Sequence, residues 1–251
     1  MLAAAGAAEA GPWAQKRGEG QVIVKAERMR ATDGFDPAGA LAPLPAERVD
    51  EAVSVFAEYG LTDRFTLQLK GEHQAGRDFF VDYEGRGPIE LGVTWQAWRD
   101  ERTAVSLYAG YAWAGEGRNA GYASPGVGEH DLEVRVSAGR SFAVRKRAGR
   151  LTFLQPDSGF VEGQAARRVR DGLPDETRID LTAGGRYGRR WMLLNQVYAG
   201  ESDGGARWAS IETSVVRDLG RWSLQAGWRH TAAGRETPAA SGPLIALWRR
   251  F

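Results

Sequence analysis

The chain has 251 residues, and its 33 Lys+Arg against 32 Asp+Glu leave a formal net charge of +1, so no global field points to nucleic acid. The absence of cysteine excludes disulfides, thiolate metal sites and cysteine nucleophiles together. No stretch approaches the ~18 apolar residues of a membrane-crossing helix, whereas 33 Gly and 9 Trp suit a β-barrel wall with aromatic girdles.

The opening Met1-Leu-Ala-Ala-Ala-Gly-Ala-Ala-Glu-Ala10 reads as the tail of a secretory signal peptide, with Ala8-Glu9-Ala10 as a small-x-small cleavage site before Gly11. The domain reading is a residual signal tail over 1–10 and a single β-barrel domain over 11–251. From about residue 21 to the last residue the pattern alternates with a period of two, and no long segment prefers the helical period. Strands are predicted near 21–30, 51–59 and 65–73. The clearest alternation follows: Ile89, Leu91, Val93, Trp95 and Ala97 against Glu90, Gly92, Thr94, Gln96 and Trp98. Val105–Trp113, Leu132–Ala138, Ile179–Tyr187 and Trp222–Trp228 repeat it, and weaker strands fill 159–168, 191–199, 207–217 and 243–251. That makes about twelve strands of about 9–11 residues, the length a tilted strand needs to cross the hydrocarbon layer.

The connections alternate in length. Gly60–Arg64, Asp100–Arg102, Gly188–Arg190 and Asp218–Arg221 are tight, whereas 31–50, 74–87, 114–128, 169–176, 200–206 and 232–242 are long. The fold class expected is therefore an all-β, transmembrane, antiparallel up-and-down barrel with short periplasmic turns and longer extracellular loops. The basic connection 139–158, with Arg140, Arg145, Lys146, Arg147 and Arg150, is the exception on the short side.

Aromatics supply a second pattern. Tyr59, Phe65, Trp98, Tyr187, Trp191, Trp222 and Trp248 fall at strand ends near the tight turns, while Trp113, Tyr198, Trp208 and Trp228 fall toward the opposite ends. Two such belts are expected where amphipathic rings occupy both membrane interfaces. A soluble β-sandwich also alternates, but it would not band its aromatics. The polar face carries Glu58, Lys70, Glu72, Glu90, Glu133, Arg135, Glu162, Arg178, Asp180, Glu212 and Arg229, which a barrel directs into its lumen. Opposite signs there neutralise one another across neighbouring strands. On this facing, Leu91→Arg or Val134→Arg should damage the barrel, and Glu90→Arg or Glu133→Arg should leave assembly largely intact.

The three histidines, His73, His130 and His230, lie on the apolar face of non-neighbouring strands with no serine two residues away on that face, so interface histidines explain them better than a catalytic role. Gly115–Gly121 echoes a phosphate loop but no helix follows it, and Val144-Arg-Lys-Arg147 reads as a solvated basic turn. No catalytic residue, metal site or cofactor is therefore expected. The aromatic-bearing loop Phe79-Phe80-Val81-Asp82-Tyr83 is the candidate for binding a solute through Phe79, Phe80 and Tyr83.

The end of the chain, Pro243-Leu-Ile-Ala-Leu-Trp-Arg-Arg-Phe251, resembles the C-terminal signature of outer-membrane proteins, with Ile245 and Leu247 on the face of Phe251. Arg249 departs from that signature, where an aromatic or apolar residue is usual. The resemblance implies that Phe251 is an assembly signal read by the barrel-assembly machinery. Gly18–Val24, Glu58–Arg64 and Arg190–Leu194 are similar to phrases in the loosely defined family of phenol-degradation meta-pathway, transporter-like outer-membrane barrels. These motifs are structural, so the resemblance implies fold and a Gram-negative outer-membrane location, among membrane lipid and lipopolysaccharide, more than a substrate. The expected function is a small, selective channel or transporter-like barrel for an unidentified small solute. The alternatives are a structural or accessory barrel, for example serving surface polysaccharide export, or more remotely a lipid-modifying enzyme.

Overall fold

The structure, a computed structural model, describes residues 11–80, 82–115, 129–145 and 155–251. The expected signal tail 1–10, most of Gly115–Gly121 and the basic stretch Lys146–Arg150 lie outside the described residues. Among the described residues there is no helix. The strands are β1 (Gly20–Phe35), β2 (Leu41–Gly60), β3 (Phe65–Arg77), β4 (Asp82–Arg99), β5 (Thr103–Trp113), β6 (His130–Ala143) and β7 (Ser158–Arg170). They continue as β8 (Glu176–Tyr187), β9 (Trp191–Ser202), β10 (Arg207–Leu219), β11 (Trp222–Arg235), the two-residue β12 (Thr237–Pro238) and β13 (Ser241–Arg250).

Twelve long strands pair antiparallel with their sequence neighbours, and β13 pairs with both β11 and β1, so the sheet closes on itself. Closure satisfies the backbone groups that an open edge would strand in hydrocarbon. The last pair made is reciprocal: the Gly20 amide donates to the Phe251 carbonyl at 2.9 Å and the Phe251 amide to Gly20 at 3.0 Å. β13 is shorter than β1, and β12 covers the remaining edge through Gly34↔Pro238 and Phe35↔Thr237. Both ends of the wall, Gly20 and Arg250, lie at one rim, called here the terminal rim, with the tight turns 61–64, 100–102, 188–190 and 220–221. Gly188 and Gly220 adopt φ of 60° and 84°, which an L side chain disfavours.

Two expected loops are mostly strand. The connections 31–50 and 74–87 shrink to 36–40 and 78–81, because β2 runs for 20 residues and β4 for 18. Beyond the apolar band both faces of these hairpins meet water or lumen, so no apolar side remains to mark the period, and Pro43 and Pro45 imitate turn signals.

Facing follows parity. Leu91, Val134, Ile179, Leu224 and Ile245 are exposed on the outer wall, and Glu90, Glu133 and Glu212 are buried inside. Tyr59, Phe65, Trp98, Trp191 and Trp222 are exposed and Tyr187 half-buried, all near the terminal rim. Trp248 corrects the expected girdle. On β13 the outward residues are Ile245, Leu247 and Arg249, so Trp248 points inward, is 0% exposed, and its indole N–H donates to Gln225 Oε1 at 3.0 Å. Tyr198 and Trp208 depart from the second belt for the same reason of parity and line the interior instead.

Candidate functional site: a lumen plugged at one end

The interior is layered along the barrel axis. Nearest the terminal rim, the segment preceding β1 folds back into the barrel. Pro12 is fully buried, and Gln96 Nε2 donates to its carbonyl at 3.1 Å. The Gln15 amide donates to Thr66 Oγ1 at 3.0 Å, and Gln15 Nε2 to Glu58 Oε2 at 3.0 Å, beside Gln21 and Gln68, which donate to the same carboxylate. The segment crosses the wall over Gly60, where a β-carbon would meet the Lys16 carbonyl, so only glycine permits the crossing. Trp13 packs edge-to-face on Phe160 with centroids 6.4 Å apart. It completes an apolar layer of Ile23, Phe56, Phe160, Met192, Leu194, Val216, Ala246 and Trp248 across the lumen.

Above this layer lies a band of charge. Glu90 accepts from Lys70 Nζ at 3.0 Å, from the Tyr108 hydroxyl at 2.6 Å and from Arg168. Glu133 accepts from Arg168 at 2.6 Å, from Arg135 Nε at 3.2 Å and from Arg178. Arg135 also donates to Gln164 at 3.0 Å, and its guanidinium sits 4.3 Å over the Tyr108 ring. Arg168 thus joins β4, β6 and β7 into one network. Higher still, Arg229 donates to Glu212 at 2.6 Å and stacks 4.8 Å over Tyr198, with Glu27 3.5 Å away and paired in turn with Lys25.

These side chains border a cavity of about 450 Å³ that runs from Trp208, Thr231 and Thr237 down to Phe56, Gln164 and Gln196. Six cationic side chains line it (Lys25, Lys70, Arg135, Arg168, Arg178 and Arg229) against four carboxylates (Glu72, Glu90, Glu133 and Asp180). Of the expected lumen residues, all eleven lie on the inward face. Glu58 and Glu162 lie below the cavity among the residues that hold the plug, and Glu212 lies behind Arg229. Lys25, Glu27, Arg168 and Tyr108 were not among the sequence candidates. Arg168 hides inside the doublet Arg167-Arg168, whose first member faces outward to Asp175 and Asp203. The plug carried no signal at all, because Pro12–Lys16 has neither strand period nor charge pattern.

The aromatic loop is not part of this cavity. Phe79 and Phe80 are exposed and pack on each other with centroids 5.2 Å apart, away from the lining residues. Tyr83 belongs to β4 and donates to Asp50 Oδ1 at 2.7 Å, in a network with the buried Arg48. His73, His130 and His230 are exposed on the outer wall, and His130 stacks on Tyr111 at 5.8 Å. Among the described residues no group of His, Asp and Glu could hold a metal ion.

Neither a protein-family model nor a curated protein matches the chain. Solved structures do. The COG4313 outer membrane channel from Pseudomonas putida F1 superposes with a TM-score of 0.68 at 13% identity, over 98% of this chain and 100% of that one. The NanC porin gives 0.57 at 6% identity, over 92% and 100%, and the KdgM porin 0.55 at 4%, over 91% and 99%. At such identities the likeness establishes the fold: the chain is a closed, twelve-stranded barrel of the outer-membrane type.

Proposed function

We propose that this barrel sits in the outer membrane of a Gram-negative bacterium as a selective channel for small solutes, without catalysis. The observation that carries the reading is the cavity of about 450 Å³, polar and charged, which ends on an apolar layer of wall side chains against which Trp13 of the segment before β1 packs. The terminal rim faces the periplasm, and solute enters from the other end. The lining carries both signs, and Glu27 and Glu212 neutralise Lys25 and Arg229 at its edge, so selectivity comes from the pattern of charges rather than from a net excess. The channels and porins it superposes on support this reading by their names as well as by their shape.

The test is conductance in planar bilayers. Wild-type protein should show small, rare openings. Deletion of residues 11–17 should raise conductance several-fold, and the openings should pass small solutes selectively. An unchanged, near-zero conductance after the deletion would favour a purely structural barrel.

A further inference from the structure

The plug begins beside a carboxylate that has no visible reason to be charged where it is. Glu162 on β7 is 5% exposed, and the group that faces it is the neutral hydroxyl of Thr182 across the β7–β8 ladder; among the described residues no cation pairs with it. Burying an unpaired carboxylate is costly, so a partner is expected. Gly11 of the plug lies against this carboxylate: a β-carbon there would be 2.8 Å from Glu162 Oε2. Gly11 is also the residue that follows the small-x-small sequence Ala8-Glu9-Ala10.

We infer that Ala10–Gly11 is a processing site and that the α-ammonium released on Gly11 is the buried partner of Glu162. A leader peptidase adds water across the Ala10–Gly11 amide. The carboxylate leaves with the leader, and the new amino group takes up a proton to become the cation that Glu162 lacks. Two features that are unrelated in sequence, a cleavage motif and a carboxylate about 150 residues downstream, thereby explain each other. Processing and plugging become one event: before cleavage the position holds a neutral amide, and afterwards a charge that fixes the plug.

The inference rests on the outer-membrane reading for export but not on conduction, so its readouts are chemical. Protein carrying a complete secretory leader is recovered from membranes, its intact mass is measured, and its N-terminal amine is labelled with an acylating reagent at pH 7. The mass should start at Gly11. An opposite charge within ion-pair distance raises an amine pKa by about 1–3 units, so the wild-type amine should react about tenfold more slowly than that of Glu162→Gln. Heat-dependent gel migration verifies that the variant is a folded barrel. A mature terminus at any other residue would overturn the inference, as would equal reactivity in wild type and Glu162→Gln. A silent channel with a protected amine would overturn the conduction reading and leave this one standing.

Discussion

At Glu133 three arginines converge, from β6, β7 and β8, on one buried carboxylate. Removing one partner of a buried ion pair leaves uncompensated charge and typically costs about 3–5 kcal/mol. Glu133→Gln should therefore lower the urea midpoint of refolded barrel at least as much as Leu91→Arg, whose outward charge near mid-membrane costs about 2–4 kcal/mol. Charge reversal at Glu90 or Glu133, which alternation alone expects to be tolerated, should be worse than either. Alternation states which way a side chain faces but not how many partners depend on it, and Arg168 shows the gap most clearly. Outside the membrane the chemistry is easier to isolate. Arg167 donates to both oxygens of Asp203, at 2.9 and 2.5 Å, and holds that carboxyl below the usual range. The stability this pair contributes is complete above the unfolded value of about 3.9 and is lost as pH falls through the depressed folded value. Carbon-13 titration of the Asp203 carboxyl should show the lowered midpoint, and Arg167→Ala should return it to the ordinary one.

Strand centres were legible because apolar and polar faces differ there, and the expected positions of β5, β6, β8 and β11 lie within the observed strands. Strand ends were not, since β1 to β4 extend past the apolar band, where the contrast that defines the period vanishes. The girdle failed at Trp248 for a related reason: position along a strand does not decide parity, and one residue of offset exchanges lipid for lumen. Phe251 remains the expected assembly signal. It is exposed and contributes one reciprocal backbone pair with Gly20, so it adds little to the stability of the finished barrel. Deleting Phe251 should cut the amount of inserted protein in cells far more than it lowers the melting point of refolded protein. Normal insertion would sink the signal reading.

Taken as one object, the barrel is a wall whose interior was half readable. The charged lining followed from parity, but the plug depends on contacts between Gly11–Lys16 and residues far along the chain, which no local pattern encodes. Selectivity belongs to this scale, because it sums the whole lining. Glu72→Gln removes one of the four cavity carboxylates at a half-buried position, so it should shift reversal potentials toward anions while leaving unfolding nearly unchanged. The many glycines also acquire a purpose here. Tyr108 lies flat over Gly92 and Gly110, Phe160 over Gly184 and Trp208 over Gly200, each ring occupying the space a β-carbon would take. Strand number fixes the circumference of such a barrel, but its clear bore depends on how deeply the inward rings are recessed. Adding a single methyl group at Gly92 would lift the Tyr108 ring off the wall and narrow the passage, so calibre in this protein is written in its glycines.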